Sequence, residues 1–204
     1  YDVDAVLVRL FSVDAHDLQQ TSRLKVIGKH GVGVDNIDCQ AATQHGVAVV
    51  NTPLANSNAV AEHAVTSMLA LARQLEHMSR EMRAGRFDVR NDIRGIEVAG
   101  KSLGVVGLGR VGARVAQIAA IGLGMTVYAF DPLVTDYAGP GTQVASVGEL
   151  LPRVDFLSLH VPLTPETRNL INAESIAQLK PGCQIVNTAR GGVVNEVDLA
   201  AAVK

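Results

Sequence analysis

The apolar and polar positions of the chain fall into two alternating series of strand and helix patterns, with one long helical stripe between them. Ala5 to Arg9 and Leu24 to Gly28 are short apolar runs of strand character, and the polar segment Asp14 to Gln20 between them reads as a short helix. Asp38 is placed to cap a helix that runs to His45 and ends at Gly46, and Val47 to Val50 forms the next strand before Pro53 stops it. Residues 1–55 therefore predict a parallel sheet with too few strands for a complete domain. From about Asn58, the residues Val60, Ala64, Met68, Leu71, Leu75, Met78 and Met82 recur at steps of three and four, which predicts one long helix with a single apolar stripe. It reads as the joint between two domains and as part of a subunit contact, with the charged stretch Gly85 to Gly100 a surface connection. From Lys101 the units become regular. Strands are predicted at Leu103 to Val106, Thr126 to Phe130, Val154 to Leu159 and Gln184 to Asn187, with helices after Gly112, over Ala173 to Leu179 and from Glu196 onward. Asp136 to Val147 reads as irregular. The pattern as a whole predicts an α/β chain whose residues 101–204 form a doubly wound parallel sheet, joined to residues 1–55 by a linking segment over 56–100.

Composition narrows the partners more than the fold. Of 204 residues 48% are apolar and 19% charged, enough to bury a core and too apolar for disorder. A net charge of −2 gives no electrostatic reason to expect nucleic acid or an anionic membrane. Cys39 and Cys183 lie far apart and fit no metal-ligand spacing, so they read as reduced thiols of a cytoplasmic protein, with no metal expected. The longest apolar stretch, Val115 to Phe130, is broken by Gln117, Gly122 and Gly124, so no membrane span is expected. The chain opens at Tyr1 directly in strand-like sequence and stops at Lys204 inside a helical pattern, and it reads as a piece of something longer.

The chemistry concentrates in Gly107-Leu108-Gly109-Arg110-Val111-Gly112, which follows an apolar strand and opens an apolar-periodic helix. Gly107 permits a tight turn, Gly109 lets the backbone approach a pyrophosphate, and Gly112 lets helix and strand pack closely. Asp131 ends the next strand at about the ~20-residue offset at which an acid meets the ribose hydroxyls. This context predicts a Rossmann domain binding a dinucleotide. A carboxylate at Asp131 repels a 2′-phosphate, and no Arg or Lys flanks it, so NAD(H) is expected over NADP(H). Two more strand ends stand out. His160-Val161-Pro162-Leu163-Thr164-Pro165 leaves the third strand with two prolines, a rigid loop at the cofactor edge. Asn187-Thr188-Ala189-Arg190-Gly191-Gly192 leaves the fourth with a guanidinium flanked by small residues, suited to bidentate binding of a carboxylate.

These motifs, together with Gly31-Val32-Gly33-Val34-Asp35-Asn36-Ile37-Asp38, Asn51-Thr52-Pro53 and Val60-Ala61-Glu62-His63, resemble the D-isomer-specific 2-hydroxyacid dehydrogenases, and within them the phosphoglycerate dehydrogenase type. The resemblance implies a flavodoxin-like substrate domain beside the Rossmann domain, and an NAD-dependent enzyme that interconverts a small D-2-hydroxy acid and its 2-keto acid. It implies that Val32 and Gly33 offer amides to the substrate carboxylate, that Asn56 bonds substrate or nicotinamide surroundings, and that Arg190 is the catalytic arginine. Arg110 and Val111 meet the pyrophosphate on this reading, Val161, Pro162 and Thr167 form the adenine-side wall with His160 at its head, and Thr188 and Ala189 line the nicotinamide side. Arg9 and Lys29 match basic positions facing a substrate phosphate, which favours 3-phosphoglycerate over glyoxylate or hydroxypyruvate. An NAD-sensing corepressor-like module is the other reading the resemblance leaves open. Family members dimerise through an arm like the striped helix, so a homodimer is expected.

The departures carry expectations too. The family's catalytic Glu and His follow the Arg-Gly-Gly segment on later strands, and this chain ends first, so these 204 residues alone are expected to bind NAD(H) without turnover. Histidines 16, 30, 45, 63, 77 and 160 do not match the catalytic position, and His63, beside Glu62, reads as an interface histidine. The opening strand of the first domain is missing as well. The helix after Gly112 is one residue longer before Gly124 than is usual in the family, with Gly122 an additional glycine.

Overall fold

A computed structural model describes residues 3–203, which divide into two compact units between residues 57 and 58. The first holds a parallel sheet of β1 (Ala5–Val8), β2 (Val26–Lys29) and β3 (Ala48–Val50) in that order, with α1 (Ala15–Gln19) and α2 (Cys39–Gln44) in the connections. Both helices start where a side chain can accept an otherwise unpaired N–H. Asp14 and Asp17 cap α1 reciprocally, and Asp38 accepts from Ala41 N at 2.9 Å. Val8, Leu18, Ile27, Ala42 and Val47 form this unit's core.

The second unit is a five-stranded parallel sheet, β6 (Thr142–Gln143), β5 (Thr126–Phe130), β4 (Ser102–Val106), β7 (Phe156–Leu159) and β8 (Gln184–Asn187), in that order. Its central strands β4 and β7 are buried throughout because both faces are covered, as parallel sheets require. On one face α3 (Ser57–Ala72) sets Ala61, Ala64, Val65, Met68 and Ala72 against Leu103, Val105 and Phe156, beside Val115 and Ala116 of α5 (Arg110–Gln117). On the other, Leu157 and Leu159 meet Leu150 of α6 (Val147–Leu150), Leu151, Ile171 and Val193. The segment expected to be irregular contains β6 and leads directly into α6. Helices α7 (Ala173–Ala177) and α8 (Glu196–Ala202) complete the connections.

The single long helix expected from the stripe is corrected to two. Helix α3 ends at Ala72, Gln74 takes a left-handed conformation (φ 51°), and α4 (Leu75–Arg83) starts anew. The returning chain causes the break: Ile96 N donates to Ala72 O at 2.7 Å, and Gln74 Nε2 donates to Arg94 O at 3.1 Å. A carbonyl taken from outside leaves the helix ladder, and periodicity alone does not register such a competitor. The stripe is accordingly buried only in its first half, since Leu71, Leu75 and Met82 are about half exposed (47, 53 and 52%). The additional residue after Gly112 has a structural counterpart, because Ile118–Gly122 form a π-helical turn following α5. A π turn holds one more residue than an α turn, so β5 still pairs with β4 in full register from Ser102 opposite Thr126 to Val106 opposite Phe130.

Candidate functional site

Strand order reverses between β4 and β7: the chain winds from β4 to β5 and β6 on one side, then returns to β7 and β8 on the other. A crevice at such a reversal, outside the carboxyl ends of the strands, is where open α/β sheets bind ligands. Three glycines shape it for three different reasons. Gly107 (φ 94°) turns the chain out of β4, and a Cβ there would lie 2.6 Å from the His160 carbonyl oxygen. A Cβ on Gly112 would overlap the Gly107 carbonyl, so only glycine lets α5 start this close to β4. At Gly109 nothing lies within 4 Å of a Cβ position, which leaves open space against the backbone. Gly109 is also the N-cap of α5 and offers no side chain to the helix's first amides. A helix start without a capping side chain, a positive dipole end and open space suit a pyrophosphate.

Asp131, directly after β5, bridges this corner. Its Oδ2 accepts from Leu108 N at 2.8 Å and its Oδ1 from Leu133 N at 2.9 Å. The carboxylate is thus fixed beside the glycine turn, with acceptor capacity left on both oxygens. Val161 packs on the same turn, its Cγ1 3.1 Å from the Gly107 Cβ position. Thr167 closes the proline loop by donating to Pro162 O at 2.6 Å. At the end of β8, Asn187 clamps the Arg190 turn, accepting from Ala189 N at 3.0 Å and donating to Arg190 O at 2.8 Å. Arg190 is exposed, and its Nη1 donates to Ala189 O at 2.8 Å.

His160 is held between two hydroxyls. Ser158 Oγ lies 2.8 Å from its Nε2 and Thr188 Oγ1 3.4 Å from its Nδ1, so the ring ties β7 to the residue after β8. Burial pushes its pKa down from 6.5 to about 4, which keeps it neutral near pH 7. Unfolding restores the ordinary value, so the unfolded chain takes up the proton between those two pH values. The His160 contribution to stability is therefore complete above pH 6.5 and lost as pH falls toward 4. In urea titrations across that window, the chain is expected to lose on the order of 2–3 kcal/mol that His160→Gln does not lose. Equal slopes for the two proteins would refute this. Ser158 was missed by sequence reasoning. Its signal was a buried hydroxyl in an apolar strand, two positions from His160 and so on the same face.

The first unit gathers the remaining residues around Gly31–Asn36. Lys29 Nζ donates to Arg9 O at 2.7 Å and to Asn36 Oδ1 at 2.6 Å, so its ammonium is engaged within the turn, while Arg9 is exposed. Val32 and Gly33 lie on the turn, and Asn56 is exposed just ahead of α3.

A family model described as D-isomer specific 2-hydroxyacid dehydrogenase, NAD binding domain, matches residues 65–204. The chain belongs to this family. It carries the family's NAD-binding domain, with the glycine corner, Asp131 and Arg190 all inside the matched residues. A D-3-phosphoglycerate dehydrogenase of Mycobacterium leprae is 47% identical over the whole chain, and one of Synechocystis is 42% identical, also over the whole chain. The chain spans only 39% and 37% of the lengths of these two relatives. Among solved structures, a D-lactate dehydrogenase of Aquifex aeolicus complexed with NAD and lactic acid has a TM-score of 0.90 at 32% identity, matching 98% of this chain and 60% of that one. The holo form of a Rhodotorula graminis D-mandelate dehydrogenase has a TM-score of 0.92 at 31% identity, matching 99% and 64%. Among the described residues, no helix is long and apolar enough to cross a membrane.

Proposed function

We propose that the whole protein is an NAD-dependent D-2-hydroxyacid dehydrogenase acting on 3-phosphoglycerate. The single observation that carries the reading is the switch-point corner, where the head of α5, which no side chain caps, the open space at Gly109 and the Asp131 carboxylate lie together. Arg110 and Val111 hold the pyrophosphate through their amides, and Asp131 accepts from the ribose hydroxyls. Val161, Pro162 and Thr167 wall the adenine side with His160 behind them, and Thr188 and Ala189 line the nicotinamide side. When bound, the nicotinamide supplies the hydride chemistry at substrate C2. The protein binds and orients. In the first unit the Val32 and Gly33 amides take a substrate carboxylate, with Asn56 a further hydrogen-bonding group; in the second, Arg190 binds the carboxylate or keto oxygen, its planar fork suited to the former. The curated relatives named above support the phosphorylated substrate. So does the exposed guanidinium of Arg9, which takes the phosphate while Lys29 braces its backbone. The exposed apolar positions of α3 and α4, Leu71, Leu75 and Met82, support a homodimer.

NADH and NADPH titrations of the full-length protein test the cofactor half of this reading. NADH is expected to bind tenfold tighter or more, about 1.4 kcal/mol, and Asp131→Ala to erase most of the difference. Equal dissociation constants in the unsubstituted protein would overturn it. For the substrate half, formation of NADH from 3-phosphoglycerate and NAD is the measurement, and no formation would sink it.

A further inference from the structure

The carbonyls of the glycine-rich turn are pinned by two neighbouring residues that follow β3. Asn51 Nδ2 donates to the Val32 carbonyl at 2.7 Å. Thr52 N donates to the Gly31 carbonyl at 3.0 Å, with its Oγ1 at 3.2 Å from the same oxygen. The Thr52 hydroxyl also lies 3.2 Å from Gly31 N, so one side chain grips both ends of that residue. On the other flank, Lys29 holds Asn36 Oδ1, and Asn36 Nδ2 reaches the Phe11 carbonyl. The turn is braced at both ends.

A trans peptide carries its C=O and the next N–H on opposite sides of one rigid plane. Holding the Gly31 carbonyl at Thr52 therefore turns Val32 N–H away from Thr52. Holding the Val32 carbonyl at Asn51 turns Gly33 N–H away from Asn51. Neither N–H has an acceptor among the described residues, and Val32 is 43% exposed, so the pair is open to a ligand. The left-handed φ of Gly31 (137°) is what allows this path.

We infer that Asn51 and Thr52 are positioning residues: by gripping two successive carbonyls they aim the Val32 and Gly33 amides at a substrate carboxylate. This rests on the proposed dehydrogenase reading, in which those amides bind that group. Fixing both donors before the ligand arrives removes the ordering cost from binding. The grip also explains the residue type at position 51. An asparagine offers an N–H to a carbonyl, whereas an aspartate of the same shape sets oxygen against oxygen.

The test uses the full-length protein with saturating NADH and oxamate, a carboxylate-bearing 2-keto acid analogue, as the probe. The amide NMR signals of Val32 and Gly33 are followed along the titration. Without substitution, both are expected to move as oxamate binds. In Asn51→Ala, and in the nearly isosteric Asn51→Leu, the Gly33 response is expected to shrink while Val32, still held through Thr52, keeps most of its own. The oxamate Kd and the keto-acid KM are expected to rise about tenfold, the loss of one charge-assisted hydrogen bond. kcat stays nearly unchanged, as for binding shared by ground and transition states, and the NADH Kd does not move. A full Gly33 response with unchanged oxamate Kd in both variants overturns the positioning role. Immobile Val32 and Gly33 signals in the unsubstituted protein overturn the carboxylate site itself, and the positioning role falls with it.

Discussion

Gly112→Val is expected to abolish dinucleotide binding and to destabilise the second unit. Any Cβ at this position overlaps the Gly107 carbonyl and comes within 3.2 Å of Val105 Cγ1, and the first of these neighbours is backbone that cannot rotate away. Either α5 lifts off β4 or the Gly107 turn opens, and both movements displace the amides at the head of α5. Overpacking of this kind costs about 1–3 kcal/mol of stability. The NADH affinity is expected to fall at least about a hundredfold, roughly 2.7 kcal/mol. Urea unfolding and NADH titration read the two effects separately. Gly109→Ala is the informative control, because no atom lies within 4 Å of its Cβ position and its φ of −63° suits any residue. It is expected to leave stability within about 0.5 kcal/mol while weakening NADH, since the methyl group occupies the space the pyrophosphate needs. If Gly109→Ala binds NADH as well as the unsubstituted protein, the pyrophosphate does not lie there.

If the proposed dehydrogenase reading holds, Arg190→Ala lowers kcat/KM of the full-length protein for 3-phosphoglycerate by a factor on the order of a hundred to a thousand, the usual cost of removing a donor aimed at a reacting oxygen. Arg190→Lys keeps the charge but loses the planar fork, and is expected to recover only a small part of the rate. NADH affinity is expected to change little in both, because neither substitution touches the glycine corner. The turn itself is held by Asn187, which bonds both Ala189 N and Arg190 O. A loss of rate is therefore not a loss of local structure, and unchanged amide signals for Ala189 would verify that. Full activity in Arg190→Ala would remove the arginine from the mechanism.

The glycine corner was legible in the chain because each of its requirements is local. A turn, a close approach and a helix start each demand glycine within six residues, and the acid follows at a fixed offset set by one helix and one strand. The strands β4, β5 and β8 were placed to within a residue or two for the same reason. Local pattern failed where the deciding partner is distant in sequence. Helix α3 stops at Ala72 because Ile96 N arrives to take its carbonyl, while Arg94 O accepts from the Gln74 side chain just beyond the helix. Lys29 matches a basic position facing a substrate phosphate, and local pattern did not show that its ammonium also bonds Arg9 O and Asn36. His160 looked like a residue of the cofactor wall, but it is also the neutral tie between Ser158 and Thr188.

By itself the sequence determined the fold class, the glycine corner and the family, since periodicity, glycine spacing and motif order are properties of neighbours along the chain. Tertiary structure alone decided which polar groups are already engaged and which stand open: Lys29 occupied, His160 locked neutral, the amides of Val32 and Gly33 turned outward by Asn51 and Thr52. The physical reason is that a hydrogen bond depends on distance in space: apart from Ser158, two positions from His160, the partners that settled these cases lie 7 to 28 residues away in the chain.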